Sequence, residues 1–192
     1  MSDYGQHHPG PAVPDSSAAP DPRAQDDRVV VQLGTTPRGP TAWSPSAAAP
    51  HVLVRGQMTG HPEFVLHRGG AAEEVNAAQL VAAVNEVLSS RLEDVRRGGR
   101  DTHLPPVVIV VRWKSAMGRP AHELEPRTTE LGDLLETVAR MGRALAVHLV
   151  VATEADDPTV PHGVVVNARK VSVDEISLDV TPSALEGAHR GR

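Results

Sequence analysis

The 192-residue chain contains no cysteine. That absence excludes disulfides, thiolate zinc sites and a cysteine nucleophile, and it is the composition expected of a reducing compartment. Aromatic residues are nearly missing as well: one Phe, one Tyr and two Trp. A core must then be built from Val, Leu and Ala, as in α/β proteins whose central strands are covered on both faces. No run approaches the roughly 18 apolar residues of a membrane span. The N-terminus lacks a basic-then-apolar signal pattern. The expectation is a cytoplasmic protein with no direct membrane insertion. Charge is unevenly spread. The net charge is −5, and residues 1–27 carry −4 of it, five aspartates against Arg23. The rest is nearly neutral, which does not advertise nonspecific DNA binding.

Residues 1–27 are rich in Pro, Ala, Ser, Asp and Gly and lack apolar periodicity, so they read as a disordered tail; His7 and His8 in it read as a solvated pair. The folded domain is expected over 28–182, with a flexible tail over 183–192. VVVQL (29–33) reads as a strand and TTPRGP (35–40) as a turn. HVLVR (51–55) and EFVLH (63–67) read as short strands, the second closed by Gly69 and Gly70. Residues 72–97 carry Val81, Val84, Leu88, Leu92 and Val95 at helical spacing, and GGRD (98–101) stops that helix. PPVVIVV (105–111) has no polar alternation, so both its faces should be covered. A second helix is expected over 129–146, with Thr128 or Thr129 as cap and Glu130 and Asp133 at its positive end. VHLVVAT (147–153), GVVVN (163–167) and EISLDV (175–180) read as strands. Alternating strands and helices argue for a parallel α/β sheet.

The order of these pieces resembles the FtsK/SpoIIIE family of DNA translocases and type VII secretion ATPases. The resemblance is carried by VVVQLGTTPRGPTAWSPSAAAPHVLVRG before the nucleotide loop, by LPPVVIVV as the Walker B strand, by LLETVARMGRALAVHLVVAT (134–153) and by GVVVNARKVSVDEISLDV (163–180). It implies a RecA-like P-loop NTPase-type fold, a mostly parallel sheet flanked by helices, and, at family level, ATP and DNA binding. It does not imply that the chemistry survives, because function lives in the site.

A Walker A loop is G-x-x-x-x-G-K-[ST]: backbone N–H groups wrap the phosphates, Lys reaches them and Ser/Thr holds Mg²⁺. The stretch Gly56, Thr59, Gly60, His61, Pro62, Glu63 begins like one, but no lysine follows. Pro62 has no N–H to donate, and Glu63 puts a negative charge where phosphate would sit. The family's helix after this loop is also missing, since EFVLHRGG follows almost at once. At the end of the Walker B strand the resemblance calls for Asp-Glu, and the chain has Arg112 and Trp113. Glu154 and Glu175 depart from the family pattern as well. The expectation is therefore a pseudo-ATPase without cofactor or metal, and not an enzyme. Its role would be structural or regulatory, binding a protein partner such as an active FtsK/SpoIIIE-type ATPase or a secretion component. The alternative is a residual nucleotide- or DNA-binding subunit in a mixed ring, with Arg140, Arg143 or Arg169 supplied in trans. A decayed paralogue is a third reading.

Beyond the strands' carboxyl ends, Arg55, His67, Arg68, Arg112 and Lys114 are expected to cluster, with Arg55, Arg68, Arg112 and Lys114 as a candidate anion site. Trp113 is expected either to plug the vacant pocket or to present an anchor to a partner. His51 and His148 read as core or edge residues. Asp156, Asp157 and His162 share a loop with no nucleophile, and Arg96, Arg97 and Arg100 read as a solvated helix end.

Overall fold

The computed structural model describes residues 29–58, 60, 62–98, 104–113, 126–154 and 157–182. Both expected tails lie outside the described residues. The elements are β1 (Val29–Thr36), β2 (Gly39–Trp43), β3 (Val52–Met58), β4 (Phe64–Arg68), β5 (Ala71–Glu74), α1 (Ala77–Arg96), β6 (Val107–Arg112), α2 (Pro126–Met141), a 3₁₀ turn (Gly142–Leu145), β7 (Val147–Thr153), α3 (His162–Asn167) and β8 (Arg169–Pro182). They form one eight-stranded sheet in the order β2-β1-β8-β3-β7-β6-β4-β5.

The centre, β8-β3-β7-β6, is parallel. Both flanks are antiparallel: β2 and β1 on one side, β4 and β5 on the other. The sheet is thus mixed rather than mostly parallel. The reason lies in one connection. Residues 59–63 join β3 to β4, and β7 and β6 lie between those two strands. Three strand spacings are about 14 Å, and the chain from Met58 to Phe64 reaches about 20 Å when extended. It can cross the top of the sheet, but a parallel return needs about a dozen residues or more. β4 therefore runs the opposite way.

The same connection explains where the helices lie. Three helical crossovers remain, β5-α1-β6, β6-α2-β7 and β7-α3-β8, and all move across the sheet in one direction. Right-handed crossovers moving the same way fall on the same face. Leu80, Val84 and Leu88 of α1, Leu131, Leu135 and Val138 of α2 and Val164 of α3 accordingly share one cluster with Leu53, Ile109, Val111, Leu149 and Val151. Val52, Val54, Val108, Val110 and Val150 alternate onto the other face and meet Val31, Leu33, Trp43 and Ile176. Among the described residues the expected flanking by helices thus holds for one face only. The sheet itself curls over the second.

β8 makes the curl. Its first half pairs with β3 and its second with β1, and Glu175 and Ile176 pair with both. Two glycines permit the close approach. A Cβ on Gly56 would lie 2.5 Å from the Val173 carbonyl oxygen, and one on Gly34, at φ 143°, would collide with the Glu175 carbonyl. Both glycines flank register shifts in the ladder.

Three further expectations are corrected. The helix expected from 72 begins at Ala77, because Gly69 and Gly70, with φ 57° and 81°, make a two-residue hairpin and 71–74 become β5. Asn76 then caps α1 in a reciprocal box with Gln79. Its buried stripe is Leu80, Val84, Leu88 and Arg91, while Val95 is 54% exposed. GVVVN is helical rather than a strand: the Glu136 carboxylate accepts the Gly163 N–H at 2.6 Å and caps α3, overriding β-branched propensity. α2 starts at Pro126, so Thr128 and Thr129 lie inside it, and the expected span to 146 ends in the 3₁₀ turn.

Candidate functional site

In an open α/β sheet a crevice opens at the carboxyl ends where adjacent strands send their chains opposite ways. β3 and β7 are that pair, β3 leading toward β4 and β6, β7 leading back past β3 to β8. Arg55 pairs in register with Thr153 at this point, and Arg112 pairs with Ala152 one strand over.

The stretch read as a nucleotide loop crosses here. Gly56 is not in the loop at all. It lies inside β3, and contact with Val173 of β8 accounts for it. Gly60 has φ 64° with open space around its Cα, as a turn glycine does. Thr59 and His61 lie outside the described residues. Pro62 is half-buried and Glu63 exposed. The Glu63 carbonyl accepts the Arg112 N–H at 2.9 Å, which fastens the connection to the end of β6.

Trp113 is 3% exposed and belongs to the helical-face core. The reading of it as an exposed anchor is overturned, since a flat apolar ring gains more from burial than from water. Its Nε1–H donates to Thr159 Oγ1 at 2.9 Å, and Asp157 Oδ1 accepts from Thr159 Oγ1 at 2.6 Å and from Thr159 N at 2.9 Å. This chain of bonds ties the loop after β7 to the end of β6. It uses the Asp157 carboxylate as a turn acceptor rather than leaving it to act on a ligand.

The candidate anion site is not assembled as expected. Arg55 and Arg112 reach the same end of the sheet, but alternation along β3 and β6 puts them on opposite faces. Because β4 is antiparallel, His67 and Arg68 lie toward the other end, beside the start of β6. Lys114 lies outside the described residues. Arg140 pairs with Glu136 at 2.5 Å, while Arg143 and Arg169 are exposed. Arg96 and Arg97 bridge to Glu93 on their own helix, and Arg100 and Asp156 lie outside the described residues. His162 opens α3 and is exposed, Glu154 is exposed after β7, and Glu175 pairs opposite Gln57. Among the described residues no group of three His, Asp or Glu could hold a metal ion, and no helix is long and apolar enough to cross a membrane.

Among the described residues three histidines are buried, His51, His67 and His148. His51 Nδ1 accepts the Leu149 N–H at 3.1 Å, and burial, aided by nearby His148, pushes its pKa down to about 4. His148 Nδ1 lies 3.0 Å from the Pro50 carbonyl, and burial lowers its pKa as well. His67 is 2% exposed, and burial holds its pKa down.

Two charged residues escaped the sequence reading. Glu136 caps α3, and the Gly163 N–H, helped by Arg140, holds its carboxyl below the usual range. Arg91 sits buried in the apolar stripe of α1 and donates to the Leu145, Ala146 and Pro105 carbonyls. An arginine at spacing i+11 from Leu80 was the available signal.

No protein-family model matches the chain, and no curated protein matches it. A solved structure, the cytoplasmic domain of the type VII secretion ATPase EccC of Thermomonospora curvata, aligns at a TM-score of 0.47 and 18% identity. The alignment covers 79% of this chain and 24% of that one, so this chain spans about a quarter of that structure's length. A likeness at that level carries no argument about function.

Proposed function

We propose that the chain is a non-catalytic FtsK/SpoIIIE-like module, a pseudo-ATPase that binds a protein partner in a DNA-translocation or type VII secretion type system. The observation that carries the non-catalytic part is the five-residue connection 59–63 between β3 and β4. A phosphate site of this kind needs a helix whose N-terminal N–H groups face the anion. A chain that crosses directly into an antiparallel strand provides no such helix. Arg112 and Trp113 stand at the end of β6, one a cation and the other buried in the core. Neither can hold Mg²⁺ or orient water, and phosphoryl transfer depends on that electrostatic stabilisation. The family and the partner class rest on the sequence segments that resemble the translocases.

Thermal unfolding with and without millimolar ATP–Mg²⁺ tests this reading. The expected result is one sharp transition at an unchanged Tm. A ligand present at a hundred times its Kd would add about 2.7 kcal/mol, or very roughly 5–10 °C for a chain of this size. A rise of that order would overturn the proposal and favour a residual nucleotide-binding subunit.

A further inference from the structure

A cavity of about 270 Å³ opens toward the other end of the sheet, where β4 ends, β6 begins and the second half of α1 passes over them. Val87, Pro105 and Val107 form an apolar wall, and Arg68, Ser90 and Arg91 supply the polar side, with Glu86 beside them.

Arg91 is the unusual member. It is 8% exposed, and its guanidinium donates to the Ala146 carbonyl at 3.0 Å, to Pro105 at 2.6 Å and to Leu145. Carbonyls orient a guanidinium but bring no net negative charge. No carboxylate pairs with Arg91 among the described residues. Burial without an acidic partner lowers its pKa, the signature of a cation left uncompensated. Arg68 stands on the same cavity, exposed, and the side chains of Arg68 and Ser90 make no hydrogen bond or ion pair among the described residues. The second half of α1 thus places Val87 and Arg91 four apart on one row and Glu86 and Ser90 on the next.

We propose that this cavity binds a carboxylate with a short aliphatic body. The carboxylate sits between Arg68 and Arg91 with the Ser90 hydroxyl as a further donor, and the aliphatic group lies on Val87, Pro105 and Val107. Glu86 repels the anion and limits its affinity. The volume, just under the usual range of small-molecule sites, restricts the occupant to a small acid or to the end of a peptide chain.

Amide NMR titration of the full chain tests it with three probes at up to tens of millimolar: isovalerate, N-acetyl-leucine and the uncharged N-acetyl-leucinamide. The expected result is saturable shifts at Gly69 and Ser90 with the acids and not with the amide. Comparable affinity for both acids assigns a free acid as ligand, and clear preference for N-acetyl-leucine assigns a peptide C-terminus. Arg68→Met should weaken binding about tenfold or more, as loss of a charge-assisted bond does, while leaving the probe-free Tm unchanged. Glu86→Gln should tighten it several-fold. No saturable shift with either acid, equal binding of the amide, or unchanged affinity in Arg68→Met would each overturn the proposal.

Discussion

Taking the solution from about pH 7.5 to about pH 5 should cost this protein about 2 kcal/mol through His51 alone. His51 is 1% exposed, and its pKa falls from 6.5 to about 4 on folding. Between those values the unfolded chain binds a proton that the folded chain refuses, so stability rises with pH there and is lost as pH falls. The contribution is fully present above about pH 6.5, declines by at most about 1.4 kcal/mol per pH unit, and is exhausted near pH 4, about 3 kcal/mol in all. His148 and Glu136 shift in the same direction and add to the acid sensitivity. A variant therefore has to isolate His51. In His51→Asn, Oδ1 can take over the Leu149 N–H that Nδ1 accepts, and nothing is left to protonate. Urea unfolding across this pH range, followed by the fluorescence of buried Trp43 and Trp113, should show the variant weaker by about 1–2 kcal/mol near neutrality from the lost ring. Its loss on acidification should be smaller than that of the parent by about 2 kcal/mol. An identical acid slope in the two proteins would refute the assignment of a buried, neutral His51.

Three other substitutions probe the reading of individual residues, each scored by urea unfolding. Gly56→Ala forces a Cβ to 2.5 Å from the Val173 carbonyl oxygen and should destabilise by more than about 2 kcal/mol, whereas Gly60→Ala, with open space at φ 64°, should cost only about 1–2 kcal/mol; the reverse ranking would return Gly56 to a loop role. Trp113→Phe keeps part of the packing but leaves Thr159 without its donor and should cost about 1–2 kcal/mol or somewhat more, against about 3–5 kcal/mol for Trp113→Ala, and a neutral Trp113→Ala would contradict its place in the core. Glu136→Ala removes the cap of α3 and should cost about 1 kcal/mol, with amide exchange speeding first at Gly163.

Much of the sheet was readable as pattern. The continuous apolar run 105–111 announced a strand covered on both faces, and 147–153 read as a further strand; 107–111 and 147–153 are buried throughout. The absence of lysine after Gly56 and the short distance to Phe64 were equally visible, and β4 follows β3 directly. β5 was missed because AAEE carries no strand pattern; it pairs only because the Gly69-Gly70 turn folds it onto β4. The box Asn76-Ala-Ala-Gln79 was a legible signal that the helix starts later than its composition suggests. α3 had no local signal, since its cap comes from Glu136, 27 residues earlier. The basic cluster failed for a different reason. Placing Arg68 beside Arg55 and Arg112 required knowing the direction of β4, and strand direction is a property of the connection rather than of the strand.

The sequence by itself determined the identity and order of most elements, an aliphatic core, and the absence of a lysine in the stretch after Gly56, because each is written in local spacing and residue type. The tertiary structure alone decided that the helices share one face, that β8 bends to close the other, that Trp113 is core, and that Arg91 is a buried cation beside a cavity. Those outcomes depend on which segments meet across the sheet. A chain of Val, Leu and Ala can satisfy many such meetings, and only the constraints of crossover handedness, loop reach and close approach at Gly34 and Gly56 select one.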